Sequence, residues 1–510
     1  MRRKHLIWVA AVLGTVSATG SMGCRRGPAA GKGATSASSK ALSVNATNAK
    51  MWVPPITGMA VSATGTPWVT GRIYNAFDFG SGFVASSGSA DIYLVKLDPT
   101  TCLATATFVF GGRAGNDQAS RGVAVASKGN VGMIGQFTGE IEFTDNKPGT
   151  DGLDFLRGGS GNHFYGVFDG ASTGAHVTPV KTHTVDLGFG ALLSVGSNPG
   201  QNAFAICGKT DKAVLQWSSS AANEGLITGG KAVAGGEMDI VVAKIDAATG
   251  SVIWGKQFGG VGNQVCESVT IDNNGDVLLA GGYSGALSFD GISLPTVADA
   301  TVALLYVARL NGATGAAMTA KTWGFAGRSN ALGLTVDADG NVIVAGSLGG
   351  DVDFGGGINI TNLGWTDAFV VKLTPALAPI WAKSFGDADF DQQVKSVGVS
   401  SKGDVLIGGS FQGSLGTLGL TSAGKTAASA DAFTAELAKA DGAVLSAHAY
   451  GDAAGAQAVS VVTVARSATG ALANSTFIGG SFSSEITFAA TTLNSGKPTF
   501  LASYVARLVP

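Results

Sequence analysis

The sequence predicts an all-β fold built from seven similar four-stranded antiparallel sheets, and three observations support this prediction. A phrase made of a turn, a short apolar strand and a glycine recurs with a period near 68 residues. Each period contains four short segments of strand character, and no long helical pattern appears. Glycine is also abundant, with 77 among 510 residues, which is about double the usual share.

The composition limits the classes of function. Charged residues make up 13% of the chain, hydrophobic residues make up 45%, and the formal net charge is −2. Abundant large apolar residues argue against intrinsic disorder. A net charge close to zero gives no excess of basic residues that would indicate binding of nucleic acid. We therefore expect a folded body with a large core and no nucleic-acid partner.

Residues 1–23 have the three parts of an export signal. A basic start precedes an apolar run from Leu6 to Val16, and small residues follow up to Gly23. The apolar run is too short to cross a hydrocarbon core of about 30 Å as a helix, so we expect a signal peptide that is removed. The remaining chain is then extracytoplasmic.

Cys24 follows Ser21, Met22 and Gly23, and this segment resembles the lipobox of bacterial lipoproteins, although Ser21 replaces the preferred leucine. In that family the cysteine thiol receives a diacylglycerol, which implies lipidation of Cys24 and a membrane anchor. Arg25, and not aspartate, follows, which by the same resemblance favours the outer membrane or the cell surface. An ordinary secreted protein with an incidental cysteine is the alternative.

Residues 24–46 are predicted to form a flexible tether, and the repeats occupy residues 47–510. Three further cysteines, Cys102, Cys207 and Cys266, permit at most one disulfide. A Cys207–Cys266 bridge is possible if adjacent repeats bring the two side chains together. Buried cysteines that pack as small hydrophobic residues are commoner, and both alternatives stay open.

The recurring strand ends on a glycine in every repeat. The intervals between these glycines are 64, 73, 73, 65, 63 and 71 residues, and a phenylalanine lies eight residues beyond five of the seven. The glycines are Gly71, Gly135, Gly208, Gly281, Gly346, Gly409 and Gly480. This regularity predicts seven copies of one structural unit.

The fourth repeat shows the four predicted strands, a to d. Strand a covers Glu267–Ile271, strand b covers Asp276–Ala280, strand c covers Leu304–Leu310, and strand d ends at Trp323. One such sheet cannot bury both of its faces alone, whereas seven sheets stacked around an axis bury one another. The sequence therefore predicts a seven-bladed β-propeller of four-stranded antiparallel blades.

The last repeat stops after its c segment, and a spare d segment lies at the other end of the chain. Ala49–Val53 is similar to the d segments around Trp254 and Trp381. We expect this N-terminal strand to complete the last blade and close the ring, which removes an exposed sheet edge.

Gly259–Gly291 and Gly324–Gly356 combine the turn, the Val-rich strand ending in glycine and the aromatic close. They resemble the bacterial seven-bladed β-propeller repeat family of SBBP type, and the resemblance extends over residues 47–510. Repeats three and seven depart from the pattern at Asn198–Gln201 and Ala473–Thr476. The resemblance implies the fold and carries no catalytic residues.

Strand a of every blade is expected to line the central channel, with its side chains in two alternating sets. The apolar set, such as Val269 and Val397, is predicted to pack between blades. The small set, such as Gly58, Ser268 and Gly333, is predicted to face the channel. A channel with such walls holds no cluster of groups for acid–base or nucleophilic chemistry, which argues against an enzyme.

Polar residues gather in the loops from strand d to the next strand a. We predict that these loops form a binding rim, because recognition residues often lie on loops that a rigid scaffold holds. The alternative is that the loops are polar only because water wets them. The candidate binding residues are Asn116, Asp117, Gln118, Arg121, Asn263, Gln264, Glu267, Arg328, Asn330, Asp389, Asp391, Gln392, Lys395 and Gln457.

No metal or cofactor is expected. The turns at Asp272 and Asp337 resemble calcium loops, but the equivalent turns of other repeats lack carboxylates, so the shared requirement is a glycine with positive φ. His163 and His183 would suit zinc as cross-strand neighbours, without the spacing of a known zinc motif. The strand-d tryptophans resemble those of quinoprotein-type propellers, and two complete copies are too few to indicate a quinone.

The sequence therefore predicts a lipid-anchored, non-enzymatic cell-envelope protein that binds or scaffolds a protein or glycan through its rim. One alternative is a hydrolase or lyase that acts on an envelope polysaccharide, with Arg121, Glu267, Lys395 and Asp391 as candidate ionisable groups. These groups would have to converge at the channel mouth. A second alternative is a subunit of an envelope assembly complex, which predicts an exposed apolar patch on one face.

Overall fold

The structure is a computed structural model, and it describes residues 49–52, 54–86, 89–112, 116–143, 155–157, 162–172, 177–212, 215–219, 223–227, 237–299, 301–324, 330–423, 429–466, 470–488, 491–496 and 501–508. The predicted signal peptide, Cys24 and the tether lie outside these ranges. Within them, no helix has the length and apolar character needed to cross a membrane.

The described strands form the predicted seven-bladed β-propeller of four-stranded antiparallel sheets. Strands a to d span Ile56–Val61, Pro67–Ile73, Asp91–Leu97 and Ala104–Phe110 in blade 1, and Gln118–Val125, Val131–Phe137, Asn162–Phe168 and Pro179–Val185 in blade 2. They span Ala191–Gly196, Ala203–Thr210, Asp239–Asp246 and Val252–Phe258 in blade 3, and Gln264–Ile271, Val277–Tyr283, Leu304–Leu310 and Ala317–Trp323 in blade 4. They span Asn330–Val336, Val342–Leu348, Asp367–Leu373 and Pro379–Phe385 in blade 5, and Gln392–Val399, Val405–Phe411, Asp431–Leu437 and Val444–Tyr450 in blade 6. In blade 7 they span Gln457–Val464, Thr476–Phe482, Ala502–Leu508 and Ala49–Trp52.

The N-terminal strand closes the ring as predicted. Ala49–Trp52 pairs antiparallel with strand c of blade 7, with Ala49 opposite Ala506 and Met51 opposite Tyr504. Strand a of each blade contacts strand a of the next blade, and strand a of blade 7 contacts that of blade 1. The first and last strands therefore belong to one continuous circle of sheets.

Short hairpins connect strands b and c in six blades. They are Phe77–Asp78 with Phe83–Val84, Glu140–Glu142 with Phe155–Arg157, Ser288–Phe289 with Ile292–Ser293, Val352–Asp353 with Asn359–Ile360, Ser414–Leu415 with Leu420–Thr421, and Glu485–Phe488 with Thr491–Asn494. In blade 3 this connection contributes Leu215–Ser219 and Asn223–Ile227, which extend the sheet of blade 2 to six strands. The outer strand of blade 2 is thus covered by the neighbouring repeat.

Strand b does not end on the recurring glycine, as the sequence predicted, but continues two residues beyond it in every blade. The glycine is required there by a β-bulge in strand a. In every blade the register between strands a and b shifts at this level. A Cβ on Gly346 would lie 1.8 Å from the Asn330 carbonyl oxygen, and one on Gly281 would lie 2.0 Å from that of Val265. A Cβ on each of the other five glycines would lie 1.9 to 2.6 Å from a carbonyl oxygen in strand a or, for Gly71, from that of Pro55 directly before it, so only glycine fits.

The phenylalanine eight residues beyond this glycine lies at the b–c hairpin and packs on the closing aromatic residue of the preceding blade. The ring centroids of Phe289 and Phe258 are 4.9 Å apart, and those of Phe488 and Tyr450 are also 4.9 Å apart. The recurring phenylalanine and the aromatic residue at the end of strand d therefore form one contact, which joins adjacent blades.

The side chains of strand a correct one expectation. Val269 and Val397 pack on the preceding blade, as predicted. The small set faces the following blade and not the channel, since a Cβ on Gly58 would lie 2.9 Å from the Gly122 Cα and one on Gly333 would lie 3.0 Å from the Val397 Cγ1. Both faces of a radial sheet meet a neighbour, and the sheets are closest near the axis, so these residues must be small.

The turns between strands a and b are held by glycine and by buried ion pairs. Gly275 has a φ of 89°, as the turn predicts. The Asp272 carboxylate is bonded to Arg309, and an Asp337 carboxylate oxygen lies 2.9 Å from the Lys372 Nζ. The carboxylates that resemble calcium ligands are thus paired with cations from strand c.

Cys207 and Cys266 form a disulfide, with Cα atoms 5.9 Å apart. Cys207 is in strand b of blade 3 and Cys266 is in strand a of blade 4, so the bond joins two blades near the axis. Cys102 is buried and not disulfide-bonded. The structure thereby selects the bridge from the two alternatives that the sequence left open.

Candidate functional site

The loops from strand d to the next strand a and the b–c hairpins share one side of the propeller, which we call the d–a rim. Its loops include the described residues 111–112, 116–117, 186–190, 259–263, 324, 386–391 and 451–456. Asp387 fixes one loop, because its carboxylate accepts N–H groups of Asp389 at 3.2 Å, Phe390 at 3.1 Å and Ser414 at 2.6 Å. Asp452 holds the next loop in the same way. These parts of the rim are fixed by hydrogen bonds.

Four of the predicted binding residues are buried within this rim. Gln264 is typical, because its Nε2 donates to the carbonyl oxygens of Ser284 at 3.2 Å and Ala286 at 3.0 Å. Such glutamines tie the start of strand a to the b–c hairpin, and a ligand cannot reach them from solvent. They are Gln118, Gln264, Gln392 and Gln457, each exposed by 2% or less.

Asp117 is exposed and links blades 1 and 2. Its carboxylate accepts a hydrogen bond from Ser89 and lies 3.4 Å from an Arg72 nitrogen, while its N–H donates to the Thr138 hydroxyl at 2.8 Å. Asn116 beside it is half-buried. The Asp117 side chain is therefore at the surface but already held by neighbours.

The asparagines that precede or begin strand a in blades 4 and 5 are exposed. The Asn263 side-chain oxygen accepts the Met238 N–H at 3.3 Å, and Asn330 lies at the first position of its strand. Arg328 lies outside the described residues. Asn263 and Asn330 thus stand on the solvent side of the rim.

Asp389 and Asp391 are exposed between blades 5 and 6. Asp391 accepts the Thr366 hydroxyl at 2.7 Å, and the Gln392 N–H donates to the Thr366 carbonyl at 2.8 Å. The described part of the chain places no hydrogen-bond donor or cation on the Asp389 carboxylate. These two acidic residues therefore present charge to solvent from a fixed loop.

Arg121, Glu267 and Lys395 occupy the same position in three blades, the bulge of strand a. A bulge breaks the alternation of side chains, so these residues lie at the inner edge of their sheets. Burial raises the pKa of Glu267, with Lys209 acting in the opposite direction, and burial lowers the pKa of Lys395. The equivalent residues in the other blades are Thr57, Leu193, Leu332 and Ser460.

The four candidate catalytic groups are not paired with one another. Arg121 donates to the Gln136 side-chain oxygen at 3.1 Å, and within the part of the chain that the structure describes no hydrogen bond or ion pair joins any two of Arg121, Glu267, Lys395 and Asp391. Among the described residues, no group of three or more histidine, cysteine, aspartate or glutamate side chains is placed to hold a metal ion.

The two described histidines of repeat two are not direct cross-strand neighbours. His163 is opposite Val185, and His183 is opposite Tyr165, on which its ring stacks with centroids 4.5 Å apart. Burial lowers the pKa of His163 to about 4. The register therefore differs from the pairing that would suit zinc.

The strand-d tryptophans join neighbouring blades. The Trp254 indole N–H donates to the Gly312 carbonyl at 3.0 Å, and that of Trp381 donates to the Lys439 carbonyl at 3.2 Å. Both acceptors are in the c–d turn of the following blade, and both indoles are buried. Their arrangement is accounted for by packing between blades.

Sequence reasoning missed an exposed aromatic residue on the rim. Trp365 is 72% exposed and Leu363 is 61% exposed, in the loop that precedes strand c of blade 5. The only signal in the sequence is that Trp365 lies outside any alternating segment, between Gly364 and Thr366. Alternation identifies buried residues and gives no measure of what a loop exposes.

No family model and no curated protein matches the chain. Among solved structures it is similar to quinohemoprotein alcohol dehydrogenase ADHIIG from Pseudomonas putida HK5, with 10% identity, a TM-score of 0.39, and coverage of 90% of this chain and 75% of that one. It is also similar to quinohemoprotein alcohol dehydrogenase from Comamonas testosteroni, with 9% identity, a TM-score of 0.37, and coverage of 91% and 77%. At these values the likeness gives no information about activity.

Proposed function

We propose that the protein is a non-enzymatic binding or scaffold module of the bacterial cell envelope. In this proposal residues 1–23 direct export, a lipid on Cys24 anchors the chain to the outer membrane or cell surface, and the d–a rim recognises a protein or glycan. The observation that carries it is a contrast within the rim: buried side chains fix the loops by hydrogen bonds, whereas no hydrogen bond or ion pair joins any two of the candidate ionisable groups among the described residues. Fixed loops favour recognition because little conformational entropy is lost on binding.

Capture from solubilised envelope with the full-length, Cys24-containing protein tests this proposal. We expect a reproducible partner with the wild type, and its loss with a variant combining Asn263→Ala, Asn330→Ala and Asp389→Ala. A variant with Lys402→Ala and Asp441→Ala changes exposed residues in turns on the opposite side and is the matched control. Recovery of no rim-dependent partner, together with turnover of an envelope glycan by the purified protein, would overturn the proposal.

The exposed apolar residues of strand d favour a second candidate, a subunit of an envelope assembly complex. The second position of this strand carries a large exposed apolar residue in four consecutive blades, namely Ile253, Met318, Ile380 and Leu445, which are 46%, 51%, 36% and 44% exposed. Such a row supports contact with another subunit. Met318→Glu with Leu445→Glu should then release the protein from a large detergent-solubilised complex, as measured by native electrophoresis.

A further inference from the structure

We propose that the loop around Trp365 in blade 5 is the part of the d–a rim that binds the partner, and that the partner is a protein with a cationic segment in which lysine or arginine side chains alternate with apolar ones. This inference rests on the proposed binding function. It adds the position of the contact and the chemistry of the bound segment.

The first observation is an apolar surface on the rim. Trp365 is 72% exposed and Leu363, two residues before it, is 61% exposed. In contrast, Trp68, Trp254 and Trp323 are 8% exposed or less. Exposed tryptophan is enriched among the residues that contribute most to protein interfaces, because the ring buries a large area at a low entropic cost.

The second observation is that the backbone of this loop is fixed before any partner binds. The Leu363 N–H donates to the buried Asp367 carboxylate at 2.7 Å, and the Asn362 side-chain amide donates to the Gly364 carbonyl at 2.7 Å. On the other side of Trp365, the Thr366 hydroxyl donates to Asp391 at 2.7 Å. Binding therefore does not have to order the loop, which favours affinity.

The third observation is the position of carboxylates around the indole. The loop lies directly on the next d–a loop, since a Cβ on Gly364 would be 2.1 Å from the Asp387 carbonyl oxygen. Thr366, adjacent to Trp365, binds Asp391. The exposed side chains of Asp389 and Asp391 therefore belong to the same small surface as the indole.

Charge complementarity selects the occupant. Residues 350–366 and 386–394 contain five aspartates and no lysine or arginine, in a chain with 33 basic and 35 acidic residues overall. No described lysine or arginine forms an ion pair with any of these five aspartates. A cation placed over the indole and beside the Asp389 and Asp391 carboxylates gains both cation–π and ionic attraction, while its apolar neighbour covers Leu363.

Fluorine NMR of the full-length protein labelled with 5-fluorotryptophan tests this assignment. The Trp365 resonance is identified as the signal that is missing from the spectrum of the Trp365→Phe variant. The probes are a hexapeptide that alternates lysine and leucine, its glutamate–leucine counterpart and a neutral chito-oligosaccharide. We expect the lysine–leucine peptide alone to shift the Trp365 resonance in a saturable way, with weaker binding at higher salt.

Matched variants separate a specific contact from general surface effects. Trp365→Ala should weaken binding of the lysine–leucine peptide by about tenfold or more. Asp389→Asn with Asp391→Asn keeps the shape of the loop and should weaken binding severalfold, with a smaller dependence on salt. Phe83→Ala removes an aromatic residue that is 81% exposed in the blade 1 hairpin, and it should leave the affinity unchanged.

The outcomes distinguish this inference from the function on which it rests. Equal peptide affinity in wild type and Trp365→Ala, or tighter binding of the oligosaccharide, would overturn the inference. If envelope capture still yields a rim-dependent partner in that event, the proposed function stands. If no captured partner depends on the rim, the proposed function fails and this inference fails with it.

Discussion

Single glycines determine the geometry of each blade, because the bulge in strand a leaves no room for a Cβ on strand b. At Gly346 the nearest atom to an added Cβ is the Asn330 carbonyl oxygen, which belongs to the backbone and cannot rotate away as a side chain would. The repeat that is most visible in the sequence is therefore a steric requirement of the sheet. It carries no information about the ligand.

Gly346→Ala should lower the free energy of unfolding by about 1–3 kcal/mol, because the strands must move apart to admit the methyl group. Urea denaturation measures the change. Gly416→Ala is the matched control, since a Cβ there meets no atom within 4 Å and the residue does not have a positive φ. Equal destabilisation by the two substitutions would contradict the steric account.

Asp239 should make stability depend on pH. Burial raises its pKa to about 6, against the opposing effect of hydrogen bonds from Gln257 and Gly260. Because the pKa is higher in the folded than in the unfolded chain, its contribution to stability is complete below about pH 4 and is lost as the pH rises through 6. The melting temperature of Asp239→Asn, relative to wild type, should therefore increase from pH 4 to pH 7.5. Parallel pH profiles for the two proteins would refute this.

At the scale of strands and blades, the contacts that join neighbouring sheets come from fixed positions of the repeat. Lys244 in strand c of blade 3 donates to the carbonyl oxygens of Gly275 at 2.7 Å and Gly312 at 2.9 Å, both in turns of blade 4. The aromatic pairs and the strand-d tryptophans also cross this boundary. Adjacent blades are thus held together at the turns, in the core and near the axis.

The Cys207–Cys266 disulfide should strengthen the boundary between blades 3 and 4. The bond closes a loop with a sequence separation of 59 residues, so its loss is expected to cost about 2–4 kcal/mol, mainly through the greater freedom of the unfolded chain. Thermal melts of Cys207→Ala with Cys266→Ala measure the loss. Addition of reductant should lower the melting temperature of the wild type and leave that of the double variant unchanged. Insensitivity of the wild type to reductant under unfolding conditions would show that the bond is absent.

At the scale of the whole molecule, the sequence predicted the number of blades, their strand order and the closing strand, because strand alternation and turn glycines are local signals. It placed Gly58 and Gly333 on the channel wall, whereas both positions face the following blade, because the surface that a position in a radial sheet faces depends on the neighbouring sheets. It also left the Cys207–Cys266 pairing open, because their distance depends on packing between blades. The exposure of Trp365 was missed for the same reason, as it depends on where two loops from different blades meet.

Ring closure by the N-terminal strand can be tested with two truncations. Removal of residues 1–46 takes away only the predicted leader and tether, whereas removal of residues 1–52 also takes away Ala49–Trp52, which pairs with Ala502–Leu508. The longer truncation should lose about 2–4 kcal/mol of stability, from roughly four backbone hydrogen bonds, and should expose the edge of strand c. Thermal melts and light scattering would then show a lower melting temperature and concentration-dependent association for that protein.

A synthetic peptide of residues 47–54 should restore the monomer and its stability to the longer truncation, because the strand supplies pairing that no other part of the described chain provides at that edge. A glutamate–leucine peptide of equal length is the control and should have no effect. If the two truncations melted at the same temperature and stayed monomeric, the seven sheets would not need this strand to form a closed circle. The pairing of the two ends would then be a local addition to blade 7, and the fixed geometry of the rim would depend on contacts between blades alone.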